Sequence, residues 1–468
     1  MISQKTRSTL TLVVGTILVL FGTVIIVALS SGYSFNLFSG ELTSTGLVKL
    51  GSNPSGATIK INSKTLRQKT PYQLENVKIG PIDVEYTKQG YYDWKSSYSV
   101  VGGEVTFADY ALLIQKEISQ QTIESQLQFS NLFSSLNNNR LFASSNSEGT
   151  IYEVQRNSTL KKLAELPLNE SLKKPNKLSN FITNTDGSSV ILTAAYPDSP
   201  PVRFFVDSSN GSVTNIDAII GNDSSNLIVN PRNNKEVFFI QKGQLSRLNI
   251  DNKTATKFSI QYITAYNLDK DNIYCLENLN PATSGQFLVR YSLAGNDRYV
   301  LAQYGPATKP WQIVLSNLDI QKYIALLDTD AGSLYVLLEK DNKVETSKLG
   351  SGVSLPRFNY SGRFLSYIQA GNLRTVDIEY LDRFARSIDG IAAINWLTDF
   401  QIILNRTDGT YIVDYNGYNI VKLPQNIDPK TDPVSTSLVR DTKSIYYISA
   451  GKILHYSLQP NVGLINFR

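Results

Sequence analysis

Residues 230–250, NPRNNKEVFFIQKGQLSRLNI, decide the fold. An Asn-rich turn opens the stretch, an alternating strand follows, and a second turn leads into another strand. The same order returns in NTDGSSVILTA (184–194), NYSGRFLSYIQAGNLRTVDI (359–378) and VRDTKSIYYISAGKILHYSL (439–458). Looser copies lie at 139–154, 269–293, 319–340 and 397–417. Units recur at intervals of roughly 35–45 residues, which is the spacing of four-stranded blades. Short, evenly spaced strands without a long helical pattern predict a β-propeller over residues 125–468. It has about eight blades, or seven if one loose unit is a linker. A parallel β-helix repeats at a shorter period.

These units resemble the Asp-Gly-turn blades of Tol-type and WD-like propellers, without the Trp-Asp and Gly-His dipeptides of true WD repeats. Composition agrees with an all-β chain. Among 468 residues there are 26 Tyr and 19 Phe, and only 18% of residues are charged. Such a mix favours strands and turns.

One Cys (Cys275) and one His (His455) restrict the chemistry. No disulfide forms within the chain, and no Cys/His zinc cluster can be assembled. A Ser-His-Asp arrangement would rest on His455 alone. Cys275, in NIYCLEN, reads as a small buried hydrophobe, and His455, in KILHYSL, as a structural strand residue. The net charge of +5 is thinly spread, and no Lys/Arg run marks a nucleic-acid partner. No phosphate loop, nucleophile elbow or metalloprotease helix appears, so neither a cofactor nor an enzyme activity is expected. A propeller hydrolase or lyase acting on an envelope polymer is the alternative. Asp328, Asp330 and Gly332, in LLDTDAGSLY, read as a hairpin turn before a calcium loop, because no third ligand and distal Glu follow.

Residues 9–30, TLTLVVGTILVLFGTVIIVALS, carry no charge. About 20 helical residues span a hydrocarbon core of roughly 30 Å. Lys5 and Arg7 precede the run, and the first charge after it is Glu41. The positive-inside rule then makes residues 1–8 a cytoplasmic tail, 9–30 a transmembrane signal anchor and everything beyond extracytoplasmic. A cleaved signal peptide has a shorter apolar region and a better cleavage site than ALSSG. An exported chain without disulfides suits a bacterial envelope. Residues 31–45 form a linker and 115–124 a polar connector.

Between them, residues 46–114 alternate as short strands, with turns at Asn53-Pro54-Ser55-Gly56, Gly80-Pro81, Gln89-Gly90 and Gly102-Gly103. The ordered set Pro54-Ser55-Gly56-Ala57, Thr70-Pro71, Leu74, Gly80, Val84, Gly90-Tyr91 and Trp94 resembles the PEGA domain. Ser55 replaces the Glu of that family's name motif, and Asn62-Ser63 stands where Asp-Gly is common. The resemblance implies a small extracytoplasmic β-sandwich, an envelope or surface-layer setting, and binding rather than catalysis.

In GYYDW, Tyr92 and Trp94 alternate onto one strand face, which makes them candidates for stacking on sugar rings. The sequence therefore predicts a single-span membrane protein with a PEGA-like sandwich and a propeller, binding an envelope protein or glycan. It assigns no oligomeric state.

Overall fold

The computed structural model describes the chain except residues 1–3, 31–32, 36–41, 119, 124, 138, 172, 279–284, 306–310, 317–321, 341–342, 386–387, 407, 425–436, 440–443 and 459–468. It divides into two units, Met1–Glu117 and Ile118–Arg468.

The first unit opens with a helix over Gln4–Ser30. Its backbone covers the apolar run, but the side chains of residues 9–11, 24, 25 and 28–30 lie outside the described residues. Among the described residues, no helix is long and apolar enough to cross a membrane. Most of the expected linker at 31–45 also lies outside them.

Two four-stranded sheets follow. In one, Leu42–Asn53 pairs with Tyr33–Phe35, Tyr72–Lys78 and, in parallel, Val105–Leu112. The other runs Lys64–Lys69, Thr58–Ile61, Gly80–Thr87, Trp94–Val100. Alternation along these strands sends Val48, Leu50, Ile59, Val84 and Tyr86 into one core. Trp94 stacks on Tyr86 at 5.1 Å and meets Tyr110 edge-on at 5.6 Å. The Asn62-Ser63 turn forms as the residues predict. Both take positive φ (48° and 67°), and Ile61 pairs with Lys64 across them.

The second unit is a β-propeller. Its described residues form eight four-stranded sheets, each antiparallel and in chain order apart from the last. The first strands of blades 1 to 7 are Asn131–Ser134, Lys177–Thr183, Ser224–Asn230, Ile263–Leu268, Gln312–Leu315, Val353–Phe358 and Ile391–Trp396. Blade 8 comprises Ser437–Val439, Ser444–Ser449, Lys452–Ser457 and Gln120–Thr122. First strands touch across most blade boundaries, as Ser224–Asn230 does Ile263–Leu268 and Asn131–Ser134 does Ser437–Val439, which puts them on the inside. A four-residue helix, Asp217–Ile220, is an addition to the all-β reading.

Middle strands such as Lys322–Asp328 and Ser444–Ser449 are almost wholly buried. Each blade packs both faces on its neighbours, so these strands are continuous apolar runs and not alternating ones. Tight turns join second to third strands at Lys242-Gly243, Ala370-Gly371 and Ala450-Gly451, with positive φ at both residues. That geometry matches the right-handed twist of the strands it joins.

The stretch read as a connector at 115–124 contains a blade strand. Gln120–Thr122 pairs with Lys452–Ser457, and Ile123 donates its N–H to the Ile453 carbonyl at 2.9 Å. The strand is short, polar and exposed, so it carries no hydrophobic alternation. Blade 8 also shares a core with blade 1, in which Ile123, Leu132 and Leu141 meet Tyr446, Ile448 and Ile453.

Candidate functional site: a charged cavity on one propeller face

In six of the blades a polar side chain caps the end of the first strand. The side-chain oxygens of Ser135, Asn184, Asp269, Ser316, Asn359 and Thr398 each accept a backbone N–H at the start of the next strand, at 2.7–3.1 Å. Asn, Asp, Ser and Thr suit this position because a short side chain can mimic the missing backbone acceptor. The caps gather at one end of the inner strands. There a cavity of about 880 Å³ opens, walled by Ser134, Thr183, Val229, Asp269 and Ser316 from blades 1 to 5.

Neighbouring blades are clamped at this end. Arg140 donates to the Gly187 carbonyl at 2.8 Å and to the Ser208 hydroxyl at 2.7 Å. Asp207 pairs with Lys235, and Arg232 with Asp271. Between blades 4 and 5 the clamp is double. Lys322 lies 3.1 Å from Asp269, and Arg290 pairs with Glu339. Lys322 and Glu339 sit opposite each other in blade 5, as do Tyr274 and Arg290 in blade 4. The side chains of Asp269 and Glu339 are only 12% and 10% exposed.

The electrostatics follow from this crowding. Burial works to raise the Asp269 carboxyl, but the Asp271 N–H, the Lys322 ammonium and the Asn272 N–H together hold it below the usual carboxylate range. The Tyr274 hydroxyl donates to the other Asp269 oxygen at 3.2 Å. Burial first, then the charges of Asp269 and Glu339, push this phenol far up. A general acid or base works best with a pKa near the operating pH. Here the acid is held ionised and the phenol protonated, so the wall offers fixed charge and hydrogen bonds.

The residues singled out by sequence lie elsewhere. Trp94 is buried at 2% exposure, while Tyr92 is 41% exposed. They do not form a shared stacking face, which corrects the reading of GYYDW as one strand. The strand begins only at Trp94, and Tyr91, itself buried, pairs with Gln115. Cys275 is fully buried in an apolar cluster, and burial pushes its thiol up. His455 is buried and stacks on Tyr446 at 5.1 Å, and burial lowers its imidazole. The other tryptophans, Trp311 and Trp396, pack between blades 4 and 5 and between blades 6 and 7. Asp328 accepts the N–H groups of Asp330 (3.0 Å) and Ala331 (3.2 Å), as a turn residue does. Among the described residues no group of His, Cys, Asp or Glu is arranged to hold a metal.

The charged wall was not read from sequence. Asp269, Arg290, Lys322 and Glu339 are spread over 71 positions (269–339), and only blade packing brings them together. The usable signal was DKDN at 269–272, an Asp at a turn where other blades carry the neutral caps Ser, Asn or Thr.

The PEGA domain family matches residues 45–115. No curated protein matches the chain in sequence. Similar solved structures include an oligogalacturonate lyase in complex with manganese (12% identity, 74% of this chain and 98% of that one, TM-score 0.45). A virginiamycin B lyase from Staphylococcus aureus is another (11%, 73% and 100%, 0.41). A third is a β-propeller domain from Myceliophteria thermophila (11%, 73% and 99%, 0.38). At these identities the likenesses say nothing about activity, and the blade count rests on the sheets themselves. Residues 45–115 are a PEGA domain, and the chain continues into a β-propeller.

Proposed function

We propose that the protein is a binding or scaffolding module of the bacterial cell envelope, anchored by residues 9–30 with both β units outside the cytoplasm. The observation that carries the binding part is the cavity wall between blades 4 and 5. Its acids and bases neutralise one another in pairs, and its phenol is held protonated. Such a wall orients a partner through fixed dipoles and charges. The anchor rests on the uncharged run at 9–30, the helical backbone over Gln4–Ser30, and Lys5 and Arg7 before it.

Two experiments test this. The full chain in detergent captures a specific envelope protein or glycan, and Lys322→Gln with Arg290→Gln weakens capture. Turnover of an envelope polymer by the chain would replace the scaffold reading with the hydrolase or lyase one. Protease added to intact spheroplasts cleaves both β units while a cytosolic marker survives. Protection of both units sinks the proposed topology.

A further inference from the structure

The PEGA domain has its own concavity, of about 650 Å³, beside the Pro54–Ala57 turn. Its floor is the end of one sheet. Thr58 stands there between two cross-strand partners, Lys69 on one side and Thr87 on the other. The loop after Thr87 brings Lys88 and Gln89 to the pocket. The Lys116 N–H donates to the Gly90 carbonyl at 2.9 Å, which fixes Lys116 on the rim. Asp93 also lines it.

Three lysines and one aspartate therefore line the same pocket. On the same sheet Lys60 and Lys95 neutralise Glu85, at 3.0 and 3.3 Å. Lys69, Lys88 and Lys116 form no ion pair among the described residues. Among the described residues Lys88 Nζ donates to one neutral acceptor, the Ser55 carbonyl, at 2.5 Å, which holds the charge in place without cancelling it. Gly56 supports this arrangement. Its φ is +80°, and a Cβ there would stand 3.4 Å from Lys88 Nζ. Charge held uncompensated in a concavity focuses its field on an anion. The Thr58 and Thr87 hydroxyls and the Gln89 amide add neutral hydrogen-bonding groups.

We propose that this pocket binds an anionic glycan. Its carboxylate or phosphate groups sit on Lys69, Lys88 and Lys116, and its hydroxyls on Asp93, Gln89 and the two threonines. An anionic membrane surface fits less well, because the lysines line a hollow and Asp93 would meet like charge. The inference deepens the binding reading above and rests on it only for the extracytoplasmic location.

The test is calorimetric titration of the full chain in non-ionic detergent. The probes are a mannuronate hexamer (carboxylates), a glycerol phosphate oligomer (phosphates), neutral maltohexaose, and phosphatidylglycerol vesicles. At least one anionic oligomer binds, about tenfold or more tighter than maltohexaose, and binding weakens as salt is raised. Which one binds separates carboxylate from phosphate recognition. Lys69→Gln with Lys116→Gln, both exposed, weakens binding about tenfold. Asp93→Asn, which removes the pocket's carboxylate, leaves binding of the anionic oligomer intact or tightens it. Binding confined to the vesicles, equal binding by the double variant, or no binding of either anionic oligomer overturns the proposal. If envelope capture by the chain persists in that case, the scaffold reading survives and only this pocket is lost.

Discussion

In the propeller, Lys322 and Asp269 meet across a blade boundary at 3.1 Å, and the neighbouring Arg290 is likewise spent on Glu339. In the PEGA domain, Lys69 and Lys116 face a pocket with no ion-pair partner among the described residues. The same residue types thus do different work. A paired, half-buried charge holds two elements together, and its loss strands its partner. An unpaired, exposed charge contributes little to stability and remains available to a ligand. The difference separates charges balanced within the protein, which fix the geometry of the wall they line, from charges left for a ligand to balance.

The comparison breaks or sharpens under substitution. Trp94→Ala empties the centre of the sandwich core and costs about 3–5 kcal/mol. Hydrogen exchange shows the loss over residues 45–115, and a small effect would mean that the rings around Trp94 collapse into the gap. Asp269→Ala costs about 3 kcal/mol in denaturant unfolding, because Lys322 loses its partner and the Asp271 and Asn272 N–H groups lose their acceptor. Asp269→Asn keeps the turn acceptor and costs about 1–2 kcal/mol. Equal costs would show that the turn contributes nothing.

Ile123→Ala removes a buried side chain shared by blades 1 and 8 and costs about 2 kcal/mol, read as a lower melting temperature. The His455 effect is smaller. Burial lowers its folded-state pKa, so below the ordinary value of about 6.5 the unfolded chain binds the proton better. Stability therefore falls as pH drops through 6.5 toward the folded value. His455→Gln flattens that part of the melting profile, and an unchanged profile would place the titration elsewhere. Lys69→Gln closes the series with a stability change within about 0.5 kcal/mol. A larger loss would contradict the account of Lys69 as an unpaired surface charge.

Much of the fold was legible because strands advertise themselves locally. The runs VFFI, SIYYI and FLSYI, with turns at Lys242-Gly243, Ala450-Gly451 and Ala370-Gly371, carry both their strand type and their connections. The PEGA landmarks lie within 41 consecutive positions (54–94), so they too are read in one pass. Gln120–Thr122 was not legible. An exposed edge strand three residues long has no periodicity, and its partner lies more than 300 positions away. GYYDW failed for a related reason. The chain turns until Trp94, so counting alternation from Tyr92 assigns faces to a strand that has not begun.

By itself, the sequence determined the all-β character, the repeat, the PEGA domain and the exclusion of disulfide and Cys/His zinc chemistry. Each follows from composition or from patterns within a few tens of residues. Tertiary structure alone decided which charges pair across blades, which lysines around the pocket have no ion-pair partner among the described residues, and which of two neighbouring aromatic rings is exposed. These depend on through-space distances of a few ångströms between residues far apart in the chain. Over that range Coulomb energy and burial change steeply, while sequence separation carries no information about them.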